Sequence, residues 1–68
     1  MGTQPDIKKL RAQASKRAGR PLTQQALAHL AGKSMTTVRY AEAGAHSPSA
    51  IELAQAIERW EAEQRASR

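Results

Sequence analysis

No cysteine occurs in the 68 residues, so neither a disulfide nor a cysteine-based zinc site can staple the fold. The only two histidines, His29 and His46, stand far apart and join no ligand-like cluster, which leaves no expected structural metal. No apolar run is long enough to cross a bilayer, and no signal-peptide core follows Met1. The expected location is therefore the cytoplasm, with no membrane partner. The few carboxylates, histidines and serines form no recognisable catalytic constellation, and nothing resembles an effector pocket. Neither an enzyme nor a cofactor or small-molecule ligand is expected.

Acids are also scarce at one end. Residues 1–40 carry eight lysines and arginines (Lys8, Lys9, Arg11, Lys16, Arg17, Arg20, Lys33 and Arg39) against Asp6 alone. Residues 41–68 carry three (Arg59, Arg65 and Arg68) against five glutamates (Glu42, Glu52, Glu58, Glu61 and Glu63). The halves thus hold +7 and −2, which make up the net +5. Such asymmetry suits a protein that presents one side to a polyanion. A solubilising surface or attraction to anionic lipid accounts for the charge equally well. The length sets one small domain, residues 1–68, near the lower limit for a self-sufficient core. Helix packing, with a second subunit to assist it, has to hold such a chain together.

The segment from Leu22 to Gly44 organises the rest. Thr23 is placed to cap a helix, with Leu22 and Leu27 spaced as a hydrophobic staple around it. Leu27, Ala28, Leu30 and Ala31 give an apolar stripe at helical spacing. Gly32 stands where that helix would stop in a left-handed conformation. Ser34 can cap a second helix whose Val38 and Ala41 face back toward the first, and Gly44 ends it. Ala28 leaves room for a close crossing, Gly32 makes the turn, and Val38 plugs the junction. This is helix-turn-helix spacing, at about residues 24–43, within an all-α fold of four or so helices. An ordinary helical hairpin would want the same small residues.

The wording of the segment resembles the phage-repressor and Cro type of helix-turn-helix, the xenobiotic-response-element family. Its members commonly read L-T-Q-x-x-L-A-x-x-A-G-x-S-x-x-T-[IV]-x-x-x-E-x-G, then three residues, then P-S. Leu22, Thr23, Gln24, Leu27, Ala28, Ala31, Gly32, Ser34, Thr37, Val38, Glu42, Gly44, Pro48 and Ser49 all fall in register. The resemblance implies a lambda-repressor-like domain binding double-stranded DNA as a homodimer, on an operator of two-fold symmetry, most simply as a repressor or autoregulator encoded by a phage, plasmid or other mobile element. It implies that Met35, Thr36, Arg39 and Tyr40 read bases. Arg39 would fork onto a guanine, the commonest specific contact, and Thr36 and Met35 would meet a thymine methyl. Gln24, Lys33, Ser34, Thr37 and His46 become phosphate contacts, and Ala28, Gly32, Val38 and Glu42 structural residues. A glutamate at the position of Glu42 commonly pairs with a first-helix arginine that also touches phosphate. Either Arg11 or Arg17 can fill that role, because the segment AQASKRAGRP is longer than usual for the family. The usual basic residues at Ala43 and Ala45 are missing, and only His46 keeps some capacity for charge.

On the flanks, Thr3 and Asp6 are placed as a capping pair for a first helix running to about Ala18, with Ile7, Leu10 and Ala14 on one face. Its lysines and arginines form either a solvated face or phosphate contacts. Gly19-Arg20-Pro21 closes it. Ser49 and Glu52 read as a capping box for a last helix that carries Leu53, Ala54, Ile57 and Trp60 inward and runs to about Gln64. Residues 1–5 and 66–68 read as disordered. Family members usually add a fifth helix that pairs subunits, for which these 68 residues leave no room. Trp60, with Ile57, is therefore expected at the dimer interface, the alternative for Trp60 being a core cap. A protein-interaction module (an antitoxin or adaptor) built on the same fold, with the acidic last helix and Trp60 facing a partner, is the competing functional reading.

Overall fold

Capping chemistry divides the chain into helices. In a computed structural model that describes residues 5–44 and 48–67, α1 spans Ile7–Ala18, α2 Gln24–Ala31, α3 Met35–Glu42 and α4 Ser49–Ala66. The Asp6 carboxylate accepts the Lys9 backbone N–H at 3.1 Å and so starts α1. Thr23 Oγ1 accepts from the Ala26 N–H at 3.1 Å, and Ser34 Oγ from that of Thr37 at 3.2 Å, starting α2 and α3. Each bond satisfies a donor that has no partner inside the helix. Thr3, expected to share the first cap, lies outside the described residues.

Gly32 makes the turn between α2 and α3. Its φ of 66° lies in the left-handed region. That geometry lets the Lys33 N–H reach back to the Ala28 carbonyl at 2.8 Å and its own N–H reach that of His29 at 3.2 Å. The paired bonds close off the last carbonyls of α2 and turn the chain into α3 within three residues.

Helix α4 begins one residue early, with Pro48 at the cap position and no side-chain cap bond there. The Glu52 carboxylate lies 2.7 Å from the Lys33 ammonium. The far end also departs from expectation. Helix α4 continues past Gln64 to Ala66, where the Ser67 N–H and hydroxyl both bond the Glu63 carbonyl, at 3.0 and 2.9 Å. Ala66 thus belongs to α4, and Ser67 caps it.

Helix α1 packs most extensively on α4, while α2 packs on both α3 and α4. The core takes Ile7 and Ala14 from α1, Leu22 from the loop, Leu27 and Ala28 from α2, Val38 and Ala41 from α3, and Ala50, Leu53, Ala56 and Ile57 from α4. Five of these eleven residues are alanine, so the helix axes can approach closely and the six larger side chains provide most of the hydrophobic stabilisation. Each of those contributes about 1.5–3 kcal/mol on burial. The radius of gyration, 11.4 Å, matches the roughly 11 Å of a compact chain this long. The product is a compact all-α domain of four helices, with no strand among the described residues. No helix among them is long and apolar enough to cross a membrane.

Leu30 is a correction to the expected stripe. It remains 41% exposed, because the buried edge of α2 is centred on Leu27 and Ala28 and the short helix turns Leu30 toward its rim.

Candidate nucleic-acid interface

Helix α3 has two faces with different chemistry. Val38 and Ala41 are buried. At 100° per residue the opposite side carries Thr36, Arg39, Tyr40 and Ala43, spaced three, four and seven residues from the first. All four are exposed, Tyr40 to 63%. Among the described residues no acid pairs with Arg39. A guanidinium, a phenol and a threonine hydroxyl therefore share one outward stripe of hydrogen-bonding groups. Met35, expected beside them, is half-buried and packs against the core. The Thr37 hydroxyl lies 3.0 Å from that of Ser34, so these two side chains serve the start of the helix as well as its surface.

The C-terminal end of α3 is tied to the rest of the domain through Glu42. Its carboxylate accepts from Arg11 Nε at 2.6 Å, Arg11 Nη2 at 3.3 Å and Gln24 Nε2 at 2.8 Å. Arg11 Nη1 also donates to the Leu22 carbonyl at 2.9 Å. Of the two candidate arginines, Arg11 is therefore the partner of Glu42. Arg17 instead faces Glu61 at 3.4 Å on the exposed surface. The Glu42 side chain is only 7% exposed and that of Arg11 23%. Burial alone would raise the Glu42 pKa. The hydrogen bonds from Arg11 and Gln24, with the positive charges of Arg11 and Lys8, outweigh it and hold the carboxyl below the usual glutamate range.

Ser15 completes this knot, and the sequence reading did not single it out. Its hydroxyl donates to the Arg11 carbonyl at 2.9 Å and accepts the Leu22 N–H at 2.8 Å. The available signal was its place four residues after Arg11 on the same helical face. The knot spans α1, the following loop, the start of α2 and the end of α3, and it fixes the axis of α3 relative to the remaining helices.

Other expected contacts lie around this frame. Gln24 places its amide nitrogen on Glu42, so it stands at the start of α2 with one donor already engaged. Lys33 sits in the turn before α3 with its ammonium on Glu52. Ala28 and Val38 are buried at the α2–α3 crossing, and Gly32 makes the turn, as their structural roles require. His46 lies outside the described residues. Ile57 cannot serve an interface, since it is 2% exposed and belongs to the monomer core. Its position puts it on the inward face of α4 with Leu53. Trp60 is half-buried, packed against the core on one side and lining a shallow groove with Leu30, Ala56, Arg59 and Glu63 on the other.

Comparison with known family models, curated proteins and solved structures finds no match to this chain.

Proposed function

We propose that this protein is a sequence-specific regulator of transcription that binds double-stranded DNA, with α2 and α3 forming a helix-turn-helix of the lambda-repressor-like, phage-repressor type. Two copies would bind an operator of two-fold symmetry and repress by occupying promoter DNA. Their recognition helices would enter successive major grooves roughly 34 Å apart. One observation carries the reading. A short helix is anchored along one side by Val38, Ala41 and Glu42 and bears Thr36, Arg39 and Tyr40 on the other side, in a chain of net charge +5. Groups offered to solvent without a partner among the described residues suit base edges, and the buried side of α3 holds that stripe against the domain.

Phosphate contacts would come from Gln24, Lys33, Ser34, Thr37 and the basic α1, including Arg11 and Arg17. For Lys33 this means exchanging the Glu52 carboxylate for a phosphate, at little cost because the Glu52 side chain is 55% exposed. Met35 would contact a base only with the part of its side chain that leaves the core.

Selection of bound duplexes from random DNA tests the proposal. The expected product is a motif of two inverted half-sites, with preference at one base pair per half-site lost in Arg39→Ala. No enrichment over unselected DNA overturns it, and leaves the competing reading of a protein-interaction module, which the groove beside Trp60 supports.

A further inference from the structure

Helix α4 carries a second surface that the DNA reading does not use. The groove beside Trp60 is lined also by Leu30, Ala56, Arg59 and Glu63. Leu30 is 41% exposed and adds apolar surface to the groove wall. Arg59 and Glu63 are exposed, and neither has an ion-pair partner among the described residues. They lie one helical turn apart, with the cation on the N-terminal side. That order is the weaker one for pairing along a single helix, because each charge opposes the helix dipole.

Between two helices running in opposite directions the same order becomes complementary. A two-fold axis passing beside residue 61 places Arg59 of each copy against Glu63 of the other. It brings the two tryptophans together at the centre of the contact and covers both copies of Leu30. We infer that the occupant of this groove is a second copy of the chain, with α4 packed antiparallel on α4 and the reciprocal Arg59–Glu63 pairs fixing the register. The surface is self-complementary, as a two-fold interface must be. It also has the anatomy of an interface, with an aromatic centre and a charged rim. This deepens the homodimer of the preceding section by naming its surface. It does not depend on DNA being the ligand.

Charge reversal tests it without DNA. Arg59→Glu sets glutamate against glutamate at both contacts, and Glu63→Arg sets arginine against arginine. Each variant alone should sediment as a monomer at concentrations where the wild type is a dimer. Mixed in equal amounts, they should form a heterodimer, because both contacts then join opposite charges. Dilution of the wild type should shift the emission of its single tryptophan to the red as the groove opens to water. Both substitutions are on exposed positions, and unchanged circular dichroism confirms that the variants fold. A wild-type chain that stays monomeric overturns the inference and leaves the groove to a different protein. Single variants that dimerise like the wild type also overturn it. Monomeric variants that fail to pair when mixed overturn the antiparallel arrangement, whatever the DNA selection yields.

Discussion

Replacing Glu42 by alanine should destabilise this domain far more than the loss of an ordinary surface ion pair. The carboxylate accepts three hydrogen bonds, two from Arg11 and one from Gln24, and is 7% exposed. Stripping the partner from a buried ion costs about 3–5 kcal/mol. Arg11 keeps its bond to the Leu22 carbonyl and is 23% exposed, so water offsets part of that, and the expected loss is about 2–3 kcal/mol. A chain of this size is stable by only about 3–10 kcal/mol, and the melting temperature should fall by about 10–20 °C. Urea unfolding followed by circular dichroism measures the change as a lower midpoint at unchanged slope.

The pH dependence supplies a second check on the same pair. Glu42 releases its proton more readily when folded than when unfolded. Its contribution is therefore complete above the unfolded value of about 4.3 and disappears as the pH falls through the lower folded value. The gap between wild type and Glu42→Ala should be flat from neutrality down to about pH 4.5 and narrow below it. A loss under about 0.5 kcal/mol, the usual worth of an exposed pair, would refute the argument from burial.

Three further outcomes follow from the same geometry. Arg39→Ala should leave the unfolding midpoint unchanged while weakening operator binding by about 1–3 kcal/mol, read by titration against the selected duplex. Gly32→Ala should cost about 1–2 kcal/mol in urea unfolding. The penalty is conformational, since a Cβ there meets no atom within 4 Å and φ is 66°. Removing Lys8 and Lys9 together should weaken binding to every duplex alike and lower the slope of log affinity against log salt by about 1.8, if both touch phosphate. An unchanged slope assigns them to a solvated face.

What was legible in the sequence was local. Thr23, Ser34 and Asp6 announce helix starts because each cap is made by a side chain three residues from its donor. Gly32 announces the turn because few other residues accept its backbone geometry. Helix periodicity likewise put Val38, Ala41, Leu53 and Ile57 inside. What was not legible depends on contacts between distant residues. Whether Glu42 takes Arg11 or Arg17 turns on the path of the loop through Leu22, which spacing does not give. Glu52 reads as half of a capping box, and its ion pair with Lys33 rests on a packing that spacing does not give. Leu30 fits the stripe by period, but a helix of eight residues buries only a narrow edge, and Leu30 lies just beyond it. Ile57 reads as both a core and an interface residue, and its 2% exposure allows only the first.

Helix α3 makes this distinction between local and distant contacts matter for function. An isolated helix of eight residues would not persist in water, since helices shorter than about 12 residues are marginal alone. Its direction is set from outside, by Val38 and Ala41 in the core and by the knot of Arg11, Ser15, Gln24 and Glu42 at its C-terminal end. In the proposed DNA complex, positioning and base reading therefore fall to separate residues. Changes on the inner side of α3 should lower stability and DNA binding together, because the reading stripe loses its orientation when its anchor fails. Changes to Thr36, Arg39 or Tyr40 should alter binding alone, because nothing in the described fold leans on those side chains. A stripe residue whose loss unfolds the domain would contradict that separation, and so would a substitution of Val38, Ala41 or Glu42 that weakens DNA binding at unchanged stability.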